Sequence, residues 1–210
     1  MDTFMLDQLK LRWPAGWTKL HVYFVPDPIE VRPLVDAYRE VLDRVDFLTR
    51  QPDEWLHSTM MVVDDVPARE VTAGQRAELA ERLRRKMAET PAFTVACGPA
   101  VVQRSSVCVK LVPDQGFSEV IDGVKAVAGA MFGHGAVQYS NGRPHITLAY
   151  ATGDGDSDVL QASLRGVADV RAVLTVNGVH LVDVVVDIDL VQFRWEELAE
   201  LRLMGVRESL

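Results

Sequence analysis

Apolar residues recur along this chain with two different periods, and the switches between them lay out the elements. Leu20–Val25 is a short apolar run of β character, closed by Pro26, Asp27 and Pro28. Leu34, Val35, Tyr38, Val41, Leu42 and Val45 then fall at helical spacing and predict a helix over Pro33–Val45. Trp55–Val63 reads as a strand, ended by Asp64, Asp65, Val66 and Pro67. Thr72 with Gln75 three residues on is a helix-start signature, opening a helix that runs to about Glu89. Phe93–Val102 and Val107–Val112 are β-rich runs joined around Gln103–Ser106, a hairpin. Phe117–Phe132 is helical, with Val120, Ile121, Val124, Val127, Ala128 and Met131 on one face. The polar loop Gly133–Pro144 leads into a strand over His145–Ala151. A loop from Asp154 and a helix to about Val167 follow, then β-rich segments at Ala172–Val176, Gly178–Val186 and Ile188–Phe193. Trp195–Met204 fits either a helix or a strand.

The order β-α-β-α-β-β-α-β-α-β-β holds two halves in which a strand of similar pattern follows a helix. An internal duplication accounts for that, and antiparallel sheets with helices outside are its natural architecture. Residues 1–19 read as an N-terminal extension with a turn-like break at Trp13–Trp17, and 20–210 as one domain, since no Pro/Gly/Ser-rich linker divides the halves.

Composition agrees with a globular chain: 48% apolar and 25% charged residues are enough to bury a full core. No apolar run is long enough to span a bilayer, and the N-terminus lacks the basic and apolar regions of a signal peptide. Cys97 and Cys108 are too few for a disulfide framework and read as reduced thiols, so the expected location is the cytoplasm. The net charge of −8 argues against a broad nucleic-acid-coating surface, although it leaves room for a small basic pocket. Arg143, Arg104 and Lys110 are candidates for one. The run Arg82–Lys86 is balanced by Glu78, Glu81 and Glu89 and reads as a solvated helix face.

The chemistry concentrates in two copies of one pattern: His57-Ser58-Thr59-Met60 and His145-Ile146-Thr147-Leu148. On a strand, His and Thr two residues apart share a face. Two such strands side by side would aim two imidazoles and two hydroxyls into one space. That set suits a phosphodiester: one His takes a proton, the other gives one, and the hydroxyls bond the phosphoryl oxygens. By the same alternation Trp55 shares the face of His57, as a base-stacking residue or a wall of the cleft, and Tyr150 falls on the face opposite His145, in the core.

Phosphate-loop, zinc-protease, paired-thiol and serine-hydrolase motifs are missing. The acidic stretch Gly153–Asp158 lacks the Gly and Glu of a calcium loop and reads as a helix cap. Two imidazoles could hold zinc, but no carboxylate or thiol stands at ligand spacing beside either motif, so acid–base use is the better reading and no metal is expected. His21 and His180 read as core-edge residues, and His134 as a loop residue.

With Pro144 before the second copy, the paired motifs resemble the signature of the two-histidine phosphoesterase superfamily, and within it the 2′-5′ RNA ligase (LigT-like) and cyclic phosphodiesterase branch. The hairpin, helix and loop leading into the second motif agree, and the likeness covers about residues 20–204. It implies an α+β fold, bilobal, with pseudo-twofold duplicated antiparallel sheets, outer helices and a central cleft. It implies no cofactor, His57 and His145 as general base and acid in an order the sequence leaves open, and Thr59 and Thr147 as phosphate-binding hydroxyls. The implied substrate is a nucleotide or RNA end carrying a 2′,3′-cyclic phosphate or a 2′-5′ linkage, and ligation is the same reaction reversed. The expected protein is a monomer that binds no membrane. The alternative is a nucleotide-binding module that has kept the pocket and lost turnover. In the first motif Ser58 and Met60 take the inward positions that Ile146 and Leu148 hold in the second, and a core-facing Ser is unexpected.

Overall fold

A computed structural model describes residues 1–2, 13–14, 16–139, 142–167 and 170–205. Their strands form two antiparallel sheets. The first contains β1 (Thr18–Phe24), β3 (Ser58–Val62), β8 (Gly178–Asp187) and β9 (Gln192–Arg202), in the order β3-β1-β8-β9. The second contains β2 (Leu48–Arg50), β4 (Phe93–Val102), β5 (Ser106–Val112), β6 (His145–Ala151) and β7 (Ala172–Val176), in the order β2-β6-β5-β4-β7. Each motif strand thus pairs with a central strand: β3 with β1, and β6 with β5.

Among the described residues, four helices cover the backs of the sheets. α2 (Ala73–Met87) and α3 (Gln115–Phe132) pack on the first, and α1 (Pro28–Asp43) and α4 (Ser157–Gly166) on the second. Alternation along β1 shows why the sheets have two unlike faces. Leu20, Val22 and Phe24 enter the main core, while Lys19, His21 and Tyr23 point the other way. On β5, Val107, Val109 and Leu111 do the same inward work. Gln51 ties the two sheets together: its backbone N–H bonds the Leu148 carbonyl at 2.7 Å, and its buried amide donates to the Val191 carbonyl at 2.9 Å.

The fold class expected from sequence is the one observed, an α+β body of two antiparallel sheets flanked by helices. Several boundaries move. α1 starts at Pro28, because the Asp27 carboxylate caps it by accepting from the Ile29 N–H at 2.7 Å, and proline suits the first helical turn. Thr72 and Gln75 form the capping box of α2. Trp195–Met204 resolves as strand, the second arm of the β8–β9 hairpin. Ile188–Phe193 is mostly the turn of that hairpin, with Val191 at a positive φ of 52°. The short strand β2 carries no signal of its own in the sequence. Arg82, Arg84, Arg85 and Lys86 pair with Glu78, Glu81 and Glu89 on the exposed face of α2. Asp156 caps α4, and Cys97 and Cys108 are free and buried.

Candidate active site

The two motifs adopt one local geometry. In each, the imidazole Nδ1 lies 2.8 Å from the backbone carbonyl two residues back, His57 on Trp55 and His145 on Arg143. A carbonyl only accepts, so both Nδ1 atoms carry the proton and both Nε2 atoms face away from their own backbone. Immediately after the Thr, each strand holds one extra residue. Thr59 pairs with Tyr23 and Met61 with Val22, so Met60 is the bulge of β3. Thr147 pairs with Cys108 and Ala149 with Val107, so Leu148 is the bulge of β6. Met60 and Leu148 are both buried, and they lock the slip in place.

The bulges decide which side chains reach the cleft. Past an extra residue, the alternation changes phase. Val62 and Asp64 therefore join His57 and Thr59, and Tyr150 joins His145 and Thr147. The expectation that Tyr150 is a core residue on the opposite face is corrected on this ground. The resulting cavity, of about 310 Å³, is lined by both motif pairs together with Trp13, Lys19, His21, Tyr23, Ser105, Ser106, Tyr139 and Phe193. Such a volume lies at the small end of ligand sites.

The first motif is enclosed by aromatic rings. Tyr23 stacks on His57 with ring centres 4.0 Å apart and planes 18° from parallel, and on its other side it stacks on His21 at 5.1 Å. Trp195 meets the edges of both Tyr23 and His57. This burial lowers the His57 imidazole to about 4; the bond to the Trp55 carbonyl works against the shift and the nearby His145 adds to it. His57 is therefore neutral at pH 7, with its Nε2 lone pair available. The bond that orients His145 is instead exposed to solvent. His21 is buried at 2% exposure and also held well below the ordinary histidine range, mainly by burial, then by His57 and Lys19.

The two threonines are each backed by a phenol. The Thr59 side chain hydrogen-bonds Tyr23, whose hydroxyl also lies 3.2 Å from Nδ1 of His21. The Thr147 side chain hydrogen-bonds Tyr150. At one end of the cleft the buried Lys19 ammonium is bound to Asp64 at 2.6 Å and lies 5.2 Å above the Trp13 ring. Trp13 packs on His21 and Phe193. Two residues of the expected N-terminal extension, Trp13 and Lys19, are thus part of the cleft wall, while Met1 and Asp2 bind Gly155 and Arg104.

The structure brings His57, Thr59, His145 and Thr147 together and leaves Trp55 and Arg143 off the cavity wall. Trp55 lies in a 3₁₀ turn, Asp53–Trp55, rather than on the strand, and meets Trp195 edge-on at 4.8 Å. The Arg143 side chain is exposed; the part of this residue that serves the site is its carbonyl. Arg104 is paired with Asp2, and Lys110 is exposed. His180 binds Glu197 on the β8–β9 hairpin, and His134 sits in a 3₁₀ turn. His21 and Tyr23, missed as cleft residues, did have a signal: one face of β1 is wholly apolar (Leu20, Val22, Phe24) and the other reads Lys, His, Tyr. Among the described residues, no group of three or more His, Cys, Asp or Glu stands together as a metal site, and no helix is long and apolar enough to cross a membrane.

A sequence profile described as the 2′-5′ RNA ligase superfamily matches residues 25–187. No curated protein sequence matches the chain. Among solved structures, the Thermus thermophilus protein TT0787 superposes with a TM-score of 0.67 at 18% identity, covering 89% of this chain and 98% of that one. A structure described as a phosphoesterase gives 0.65 at 17%, covering 89% and 99%. E. coli LigT, crystallised with NADP+, gives 0.63 at 17%, covering 90% and 99%. At these identities the likeness is one of fold.

Proposed function

Because the chain belongs to the 2′-5′ RNA ligase superfamily, the LigT-like branch of the two-histidine phosphoesterases, we propose that its cleft hydrolyses 2′,3′-cyclic phosphates or 2′-5′ phosphodiesters of nucleotides or RNA ends without a metal. The observation that carries this reading is the matched pair of Nδ1–H bonds, which presents two Nε2 atoms of fixed tautomer to one cavity lined by two hydroxyls.

For a 2′,3′-cyclic phosphate, His57 Nε2 takes a proton from water as the water oxygen bonds to phosphorus. The bond from phosphorus to one ribose oxygen breaks, and protonated His145 delivers its Nε2 proton to that oxygen. The product is a nucleoside monophosphate, with His57 protonated and His145 neutral until both exchange with solvent. Thr59 and Thr147 donate to the non-bridging oxygens, where charge builds in the transition state. With a 5′-hydroxyl in place of the water, the same transfers form its bond to phosphorus as the P–O3′ bond breaks, giving a 2′-5′ diester; run backwards, that step cleaves a 2′-5′ diester to a cyclic phosphate and a free hydroxyl.

The test is hydrolysis of a 2′,3′-cyclic nucleotide in EDTA by the wild type, His57→Ala and His145→Ala. Turnover that survives EDTA and falls at least about 10²-fold in each variant is expected. Activity unchanged in both variants would overturn the reading. Nucleotide bound with no turnover would make the protein a binding module instead.

A further inference from the structure

We infer that Tyr23 and Tyr150 are positioning residues that hold Thr59 and Thr147 as hydrogen-bond donors toward a phosphoryl group. The inference rests on the phosphodiesterase reading of the same cleft and goes beyond it in assigning the groups behind the threonines.

A threonine hydroxyl has one proton. It stabilises an oxyanion only if that proton points at the ligand, and a freely rotating hydroxyl must be ordered first. A phenol that donates to the threonine oxygen settles the matter: the threonine proton is then left for the cleft, and the incoming bond polarises the hydroxyl into a better donor. Each threonine has a phenol as its side-chain hydrogen-bond partner, Tyr23 across the ladder from Thr59 and Tyr150 three residues past Thr147, and all four line the same cavity. Burial keeps both phenols protonated over any working pH, Tyr23 well above its ordinary range and Tyr150 at about 12. In the first lobe the chain extends one step further. Nδ1 of His21 lies 3.2 Å from the Tyr23 oxygen, so an Nδ1–H tautomer there would donate to that oxygen and leave the phenol proton for Thr59.

The two lobes reach this arrangement by different routes, which argues against a by-product of duplication. Tyr23 stands on β1, directly across the ladder from Thr59, and the matching position across from Thr147 is Cys108. Tyr150 stands on the motif strand itself, swung to the cleft by the Leu148 bulge, and the matching residue in the first lobe is Val62. Packing alone does not require either hydroxyl, since a phenylalanine would fill the same space and a buried hydroxyl costs stability unless it is bonded.

Tyr23→Phe and Tyr150→Phe remove the hydroxyls and keep the rings, including the stack on His57. With a 2′,3′-cyclic nucleotide, each is expected to lower kcat about tenfold with KM nearly unchanged, a fraction of what loss of a whole oxyanion donor causes. The decisive measurement is the double-mutant cycle. In a Thr59→Val background, Tyr23→Phe should lower kcat no further, and Tyr150→Phe should behave likewise in Thr147→Val. Losses that multiply, or single variants with unchanged kcat, would overturn the inference. Absence of wild-type turnover would overturn the phosphodiesterase reading alone. The inference would then be decided by calorimetry with inorganic phosphate, where weaker binding in both Phe variants supports it. Equal affinity in both, or no wild-type binding, overturns it.

Discussion

Around His57 the rings of Tyr23 and Trp195 close on the imidazole, whereas the orienting bond of His145 lies open to solvent. Yet the two stations share nearly everything in the backbone: the bond from Nδ1 to the carbonyl two residues back, the Thr on the same face, and the bulge one residue later. The backbone therefore sets where the reactive atoms stand, and the neighbours set what each does. Across the ladder from Thr59 and Val62 stand Tyr23 and His21, whereas Cys108 and Ser106 face Thr147 and Tyr150. A symmetric site would have two equal imidazoles. This one keeps His57 neutral by burial inside the ring stack and leaves the orienting bond of His145 open to solvent, so the two imidazoles stand in unequal surroundings.

The largest effect that probes this comparison comes from the threonines. If the two stations share the phosphoryl oxygens evenly, Thr59→Val and Thr147→Val each lower kcat/KM about 10²-fold or more, the usual cost of removing one oxyanion donor. Steady-state kinetics on a cyclic nucleotide reads both. A loss confined to one variant would show that only one station holds the phosphate and that the symmetry of the backbone does not extend to binding.

The pH profile is the next sharpest. With its folded-state value lowered to about 4, His57 is neutral above that pH, so the acidic limb of kcat/KM should fall near pH 4 rather than near the ordinary histidine value of about 6.5. A bound phosphodiester anion favours the imidazolium, so the acidic limb of kcat should lie at higher pH than that of kcat/KM. The same shift bears on stability. The unfolded chain binds a proton at His57 as pH drops through about 6.5 while the folded chain does not, so this stabilisation is present above 6.5 and lost progressively as pH falls toward 4. An acidic limb of kcat/KM near 6.5 that vanishes in His57→Asn would place His57 in a far more hydrated setting than the ring stack gives.

The four motif residues and the α+β layout were legible because they rest on local rules: period-two alternation, helical spacing, caps and a repeated tetrapeptide. Tyr150 was misread for a physical reason. A bulge adds one residue without leaving a mark in the apolar pattern, since Leu148 and Ala149 are both apolar and both buried, and everything after it changes face. Trp55 was misplaced because the strand reading ran three residues too far. Trp55 ends a 3₁₀ turn, and with the apolar Leu56 after it the pattern runs on into the strand without a visible break. The partners of Tyr23 and Lys19 across the sheet were out of reach, because Thr59 and Asp64 lie on or just after another strand and periodicity along the chain carries no such distances. The small basic pocket for which the sequence leaves room is not built from Arg143, Arg104 or Lys110, none of which lines the cavity. Among the described cavity-lining residues the fixed cation is Lys19, and Asp64 neutralises it.

Arg143 gives the smallest expected effect and bears on that last point. Its guanidinium is exposed and off the cavity wall, while its carbonyl orients His145. A substitution leaves a main-chain carbonyl where it was. Arg143→Ala should therefore change kcat/KM within about twofold, the ~0.5 kcal/mol scale of an exposed substitution, and should leave the salt dependence of KM unaltered. The corresponding carbonyl at the first station belongs to Trp55, so side-chain identity at both positions two residues before the histidines is free to vary for this purpose. A tenfold loss in Arg143→Ala, with KM rising and its salt dependence flattened, would mean that the guanidinium reaches the phosphate when substrate is bound. The second station would then supply a cation that the first does not, and the asymmetry between them would lie in charge as well as in burial.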